Sequence, residues 1–346
     1  MGDQYKFSIV IPAYNPGNKL VHCLKSIEKS INFFKKKKKI KYEILLINDG
    51  GDEIILNSKK KPKDLKQINL KKNRGVGYAR QYGVKISKYN NLFFIDSDLV
   101  IKKNTLFILY KDFHRLKNIG SIGPIQDYKN LNKDFTSDFV CAKSCYGYED
   151  VEKYVKFSAI RSECCLIDKK FLKLVGGWHY FPSAGGEEFD LGHRIIKKNR
   201  INYLTKNTSY TTYWDNIFTR SKNIIIRTSN YLPVFLSEKK FETKGSFATS
   251  AQALSAFFTL LILMSLFFFY NSIYLKNVLL MLIMMNLIVE FNFLKFVFVF
   301  FNKKTFFLSL IGIFIVNFSI IIGFLVGVFN LLKLSFRKKK LYKVKF

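Results

Sequence analysis

Hydrophobic patterning divides the chain into two unlike halves. As far as about Lys244, short apolar runs alternate with segments whose apolar positions recur every three or four residues; 247–334 is almost wholly apolar. A continuous apolar run bounded by polar residues predicts a strand buried on both faces, and the wider spacing predicts an amphipathic helix. Lys6–Ile11 is then a first strand, broken by Pro12-Ala13-Tyr14-Asn15-Pro16-Gly17. Leu20, Cys23, Leu24, Ile27 and Ile31 place a helix from Lys19 to about Phe34, with Lys35–Lys39 as a solvated loop or a headgroup contact. Tyr42–Ile47 and Gln67–Leu70 are further strands, and the glycines of Asn73–Gly83 open a helix that reaches Ser87. Leu92–Ile95 is a strand ending in Asp96 and Asp98, and Thr105–Lys117 is a helix. Ser121–Ile125 and the Tyr- and Phe-rich region up to Phe157 read as a wall with an antiparallel edge, Ser162–Ile167 as a strand and Asp168–Leu174 as a short helix. A helix from the acidic cluster at Gly185–Arg194 to Lys198 and a strand at Tyr203-Leu204 complete the series. Strand and helix in alternation predict an α/β fold, a doubly wound and mostly parallel sheet with right-handed crossovers.

The apolar half predicts helices that cross a membrane. Phe247–Tyr270, Asn277–Phe301 and Thr305–Leu332 each exceed the roughly 20 residues that span a hydrocarbon core. The middle segment carries Glu290, Asn292 and Lys295, which are costly in lipid. Lysines and arginines flank the block on both sides, which draws both ends to the cytoplasmic face. Those charges favour an interfacial or re-entrant middle segment and two true spans, whereas Lys303 and Lys304 favour a third. The expected organisation is a catalytic domain over 1–215, an amphipathic connection on the membrane surface over 216–246, two to three membrane segments over 247–334 and a basic cytoplasmic tail over 335–346.

Charge and cysteine content narrow the partners. There are 57 Lys+Arg against 25 Asp+Glu, a net charge of +32, which calls for an anionic partner. The apolar half selects an anionic membrane surface over nucleic acid, whose phosphates the acidic clusters would repel. Cys23, Cys141, Cys145, Cys164 and Cys165 lack disulfide or zinc spacing and read as buried thiols in a reducing compartment. The first apolar run, Phe7–Ile11, is too short for a secretory signal.

The candidate chemistry begins at Asp96 and Asp98. Open α/β sheets bind ligands at the carboxyl ends of their strands. Two acids emerging there are the hard oxygen ligands that Mg²⁺ or Mn²⁺ needs when the cation also holds a diphosphate. The helix start at Asn73–Gly83, with Asn73, Gly77 and Arg80, suits a phosphate or a base edge. Pro12, Ala13 and Tyr14 can offer backbone groups and a ring to a nucleobase, and Asp49 can accept from a uracil or guanine N–H. Glu187, Glu188 and Asp190 form a second acidic cluster; Asp190 with Arg194 also makes an i,i+4 pair.

Five segments in order carry a resemblance: IVIPAYN, LLINDGG, NRGVGYARQYG, IDSD and GGEEFDLGHR. Together, across roughly Lys6–Leu204, the chain resembles family 2 glycosyltransferases of the GT-A fold. The resemblance implies an inverting, metal-dependent transfer from a nucleotide-sugar donor, with Asp98 as direct metal ligand and Asp96 contacting ribose or supporting the metal. It places the general base on Glu188, where the family has Asp, with Glu187 or Asp190 as alternatives, and sets Arg80 near the base and phosphates. Asn48-Asp49 stands where the family has two acids, so Asp49 alone carries over. The Q-x-x-R-W of processive relatives has no match, which favours single transfer, and the neighbourhood Tyr210–Asn216 has no metal-binding His. Trp178 falls where relatives carry an aromatic near the acceptor sugar or in the core, while His179 and His193 read as structural. A membrane-held site suits a lipid acceptor, either a polyprenyl phosphate or a lipid-linked glycan. The rival readings are a membrane-tethered nucleotidyltransferase, whose G-x-G-T signature is missing from PAYNPGN, and an inactive binding or scaffold protein.

Overall fold

The computed structural model describes residues 5–56, 62–132, 134–148, 152–179, 181, 185–241, 248–268 and 273–336. The basic tail from 337 onward, and 242–246 of the connection, lie outside the described residues. Two compact units divide the described chain, one of 5–127 with 152–213 and one of 128–148 with 214–336.

In chain order the elements are β1 (Tyr5–Ala13), α1 (Lys19–Lys37), β2 (Ile40–Asn48), β3 (Leu65–Asn69), α2 (Val76–Ile86), β4 (Asn91–Ile95), β5 (Leu99–Ile101), α3 (Thr105–Arg115) and β6 (Ile119–Asn130). There follow α4 (Phe135–Cys145), β7 (Tyr154–Phe157), β8 (Cys164–Asp168), α5 (Lys169–Leu174), α6 (Glu187–Ile196) and β9 (Ile201–Thr212). Five of the helices, α1, α2, α3, α5 and α6, and all the strands but the end of β6 lie in the first unit.

The strands form one mixed sheet in the order β3-β2-β1-β4-β8-β6-β9-β5, with β7 added to β9. The pairs β2–β3, β1–β2 and β1–β4 are parallel, as the alternation of strand and helix requires. From β4 onward the direction changes, and β4–β8, β6–β8, β5–β9 and β7–β9 are antiparallel. Strand residues alternate between two cores: Phe7, Ile9, Phe93 and Ile95 join α1 and α3, whereas Val10, Leu92 and Phe94 join α2, α5 and α6. That two-sided burial explains why these strands are apolar throughout.

Two boundaries differ from those the pattern predicts, for physical reasons. β1 runs on through Pro12 to Ala13, paired with Ile47 and Asn48 of β2. Its pairing with β4 stops at Val10, so the missing N–H of Pro12 removes no bond from that side. Helix α1 absorbs Lys35, Lys36 and Lys37, where the charge run predicts a loop. Lysine is a good helix former, and cations at a helix C-terminus meet a favourable dipole.

The second unit comprises α4, α7 (Ile217–Glu238), α8 (Ser250–Phe268), α9 (Ile273–Phe300) and α10 (Lys303–Phe336). Three stretches, Ser250–Phe267, Lys276–Phe300 and Lys303–Lys333, are long and apolar enough to cross a membrane. The middle helix runs unbroken from Ile273 to Phe300. Its awkward acid is neutralised: Glu290 lies 2.7 Å from Lys143 of α4, and both side chains are buried. Gln252, Ser255 and Thr259 of α8 hydrogen-bond with Asn286 of α9 and Asn317 of α10, which joins the three helices through polar groups without exposing them. One side of α7, expected as a headgroup connection, packs along α10, where Gly323 meets Ile225 and Thr228, and Gly327 meets Ser229 and Leu232.

Glu290→Ala leaves the Lys143 ammonium buried without its counter-ion, at an expected cost of about 3–5 kcal/mol. The measurement is the thermal midpoint of the detergent-purified protein, which should fall by several degrees. Lys143→Met with Glu290→Leu should restore most of the loss; an unchanged midpoint for Glu290→Ala would show that the pair carries no stability.

Candidate active site

The carboxyl ends of β1, β2 and β4 lie side by side and deliver Ala13, Asp49 and Asp96 to one edge of the sheet. Asp49 N–H donates to the Ala13 carbonyl at 2.8 Å, which ties the first two ends together. Beyond β4, Asp96–Leu99 is a tight turn closed by Leu99 N–H to the Asp96 carbonyl at 3.3 Å. The apolar stretch from Asn91 to Val100 is therefore two strands with the acids in the bend between them. The turn is held from both sides, since Asp96 N–H donates to the Glu163 carbonyl at 2.8 Å and Thr212 Oγ1 donates to the Asp98 carbonyl at 3.3 Å.

The second acidic cluster enters at the start of α6, after Gly185 and Gly186, both with positive φ. Glu187 and Glu188 are buried in its first turn. Glu187 is already committed: Oε1 faces Arg80 Nη1 at 3.4 Å, and Oε2 accepts from Gly185 N–H at 2.8 Å. Asp190 is committed too, accepting from Arg194 Nη2 at 2.7 Å and lying 3.0 Å from His179 Nδ1. Burial pushes the Asp190 carboxyl up, but His179 and Arg194 outweigh it and hold the group below the usual carboxylate range. The i,i+4 pair expected from the spacing is thus present, and Arg194 also donates to the Gly177 carbonyl at 2.8 Å, tying down the preceding loop. His179, for which the spacing offers no partner, gains one that lies eleven positions along the chain.

Arg80, which the resemblance sets near the base and phosphates, is 2% exposed and bonded to Asp96 Oδ1 at 2.8 Å and Glu187 Oε1 at 3.4 Å. A buried guanidinium needs counter-charges, and these two carboxylates supply them. Gly77 also serves packing: a Cβ there would stand 2.8 Å from the His179 carbonyl oxygen, so glycine admits the loop before α6. Asn73 Oδ1 is engaged locally, accepting from Gly75 N–H at 2.9 Å. Asp49 is buried and accepts from Arg74 N–H at 3.1 Å; burial raises its carboxyl above the usual range despite that bond. Tyr14 is 54% exposed at the end of β1, whereas Pro12 and Ala13 are buried in the strand. Trp178 is fully buried against Phe94, a core residue rather than a sugar platform.

The model of glycosyl transferase family 2 matches residues 8–176. This stretch is a family 2 glycosyltransferase domain. Among curated proteins, the domain is similar to a poly(ribitol-phosphate) β-N-acetylglucosaminyltransferase of Staphylococcus aureus, 28% identical over 238 residues, covering 64% of this chain and 60% of that one. A poly-β-1,6-N-acetyl-D-glucosamine synthase of Staphylococcus epidermidis is 30% identical over 179 residues, 49% of this chain and 41% of that one. A dolichyl-phosphate β-glucosyltransferase of Dictyostelium discoideum is 29% identical over 124 residues, 34% and 36% of the two chains. The chain thus spans 60% of the first of these relatives and less of the other two.

The donor set in the transferase domain suits a hard divalent cation on one condition. Asp96 and Asp98 supply carboxylate oxygens, and no group of three or more His, Cys, Asp or Glu able to hold a metal occurs among the described residues. Mg²⁺ is commonly held by one or two carboxylates plus substrate phosphates, so a diphosphate would complete the set. Two supporting residues of the domain have no sequence signal. Glu163 holds Asp96 through its main chain, while its side chain accepts from Tyr210 Oη at 2.8 Å and Arg161 Nη1 at 3.1 Å. Cys23 donates from α1 to the Asp96 carbonyl, Sγ to O 3.4 Å, and all five cysteines are free and buried.

Proposed function

We propose that the protein is an inverting, metal-dependent glycosyltransferase that moves one sugar from a nucleotide-sugar donor to a membrane-associated acceptor, a polyprenyl phosphate or a lipid-linked glycan. The observation that carries this reading is the gathering of Asp96 and the Glu187-Glu188 turn around Arg80, from segments far apart in sequence. A nucleotide sugar has an electrophilic anomeric carbon and a dianionic leaving group. Its transfer needs a base at the acceptor hydroxyl and charge compensation at the diphosphate.

With a glycan acceptor, Glu188 takes the proton from the hydroxyl as its oxygen attacks the anomeric carbon, whereas a polyprenyl phosphate attacks through an oxygen that is already ionised; in either case the bond to the diphosphate breaks and the nucleoside diphosphate leaves. Asp98, with Asp96 beside it, would hold Mg²⁺ or Mn²⁺ against the diphosphate, where the ion would neutralise the charge of the departing group. Tyr14 and Asp49 receive the nucleobase, with Asn73 and the start of α2 close to the phosphates. The three apolar helices and the net charge of +32 support a multi-pass protein on an anionic membrane, with the transferase domain on the cytoplasmic face. In the same reading the exposed side of α7, including Phe218 and Ile226, lies against headgroups.

A thermal-shift screen of the purified protein against sugar nucleotides, with and without Mn²⁺, tests this. At least one sugar nucleotide should raise the midpoint, and more so with Mn²⁺. No shift with any of them, at concentrations saturating for other sugar-nucleotide enzymes, would contradict it.

A further inference from the structure

We infer that Arg80 is a positioning residue rather than a donor ligand: a buried cation that ties the carboxylate after β4 to the first turn of α6. It would thereby fix the donor side and the acceptor side of the site against each other. The meaning of those two sides rests on the glycosyltransferase reading; the bonds themselves do not.

Two of the three guanidinium nitrogens are held by carboxylates of the fold. Nη2 meets Asp96 Oδ1 at 2.8 Å and Nη1 meets Glu187 Oε1 at 3.4 Å. Burial works against the charge, but Asp96, Glu187 and Glu188 outweigh it and keep Arg80 firmly protonated. Its face lies 4.9 Å from the centre of the Trp178 ring, a cation–π contact in a dry setting. Trp178 is itself fixed, edge-on to Phe94 of β4 at 5.3 Å, with its backbone N–H donated to Gln81 Oε1 at 2.9 Å. Of the guanidinium nitrogens, Nε alone has no hydrogen-bond partner among the described residues. Turning the group toward a nucleotide would strip two carboxylates of their counter-charge.

Arginine suits this task where lysine does not, because a planar fork can meet two carboxylates at once and an ammonium is a single point of charge. Glu187 completes the strut: its second oxygen accepts from Gly185 N–H, so Arg80, Glu187 and the glycine turn before Glu188 form one connected path. Displacing that path moves Glu188 relative to the Asp96–Asp98 turn.

The test uses the full-length protein in detergent, with Arg80→Gln, Arg80→Lys, Glu187→Gln and the double variant Arg80→Gln/Glu187→Gln. Two quantities are read: kcat at saturating donor, and the affinity for UDP and GDP measured without metal. The expected result is a kcat loss of about 10²-fold in Arg80→Gln, the size of effect that small misplacement produces. Metal-free nucleotide affinity should stay within about twofold of wild type, as expected where no contact is lost. The double variant should be no worse than the Arg80 single, because both remove the same strut, and Arg80→Lys should recover part of the rate. A tenfold or larger fall in metal-free nucleotide affinity would make Arg80 a donor ligand and overturn the proposal. So would losses that multiply in the double variant, or an unchanged kcat in Arg80→Gln. If Arg80→Gln does not fold, Arg80→Lys and Glu187→Gln, which keep charge or shape, decide the same question. Wild-type protein that neither binds UDP or GDP nor turns over any sugar nucleotide would remove the glycosyltransferase reading itself, a failure seen before any variant is compared.

Discussion

Asp98→Ala should lower metal-dependent transfer by about 10²-fold or more, the scale on which removal of a group stabilising developing charge is felt. The side chain projects from a turn whose backbone is pinned independently, by Leu99 N–H on the Asp96 carbonyl and by Thr212 on the Asp98 carbonyl. Truncation at Cβ therefore removes a carboxylate while leaving the backbone hydrogen bonds of the bend in place. Initial rates across a Mn²⁺ titration make the measurement. If Asp98→Ala transfers sugar at the wild-type rate, or if the wild type transfers equally well after chelation, the cation has no place in the reaction.

Glu188→Gln should retain nucleotide binding and lose turnover by about 10²–10⁴-fold, the usual contribution of a positioned general base. Its neighbours cannot substitute. Both Glu187 oxygens are bonded, to Arg80 and to the Gly185 N–H, and Asp190 is bonded by Arg194 and His179. Bonds that stabilise a carboxylate also make it a poorer proton acceptor, as the depressed Asp190 group illustrates. Rates from single-turnover experiments, compared with nucleotide affinity in the same preparation, separate the two effects. A near-normal rate in Glu188→Gln would move the base elsewhere.

Much of this arrangement is legible in the amino-acid pattern, for a physical reason. β1, β2 and β4 are buried on both faces, so each announces itself as an unbroken apolar run, and the candidate site residues Tyr14, Asp49 and Asp96 follow directly after. The Asp190–Arg194 pair is local and readable from spacing alone. The pattern is silent on which strand lies beside which, so the antiparallel half of the sheet emerges only in three dimensions. β5 is three residues long and β7 four, too short for alternation to register. Helix α4 buries Phe139, Val140, Cys141, Ala142 and Cys145, which leaves little of the polar face that marks an amphipathic helix. The partners of buried charges are the hardest to foresee: Arg80 finds Glu187 across 107 positions and Lys143 finds Glu290 across 147. Burial forces each of these charges to find a partner, and only the fold determines which one.

Anomalous scattering from crystals of the protein grown with Mn²⁺ and a sugar nucleotide tests the role of the cation at first hand. A manganese peak is expected between the Asp98 carboxylate and the diphosphate, at the bend after β4 and on the same edge of the sheet as Glu188. A diphosphate bound away from that bend, or bound there with no manganese beside Asp98, would contradict it.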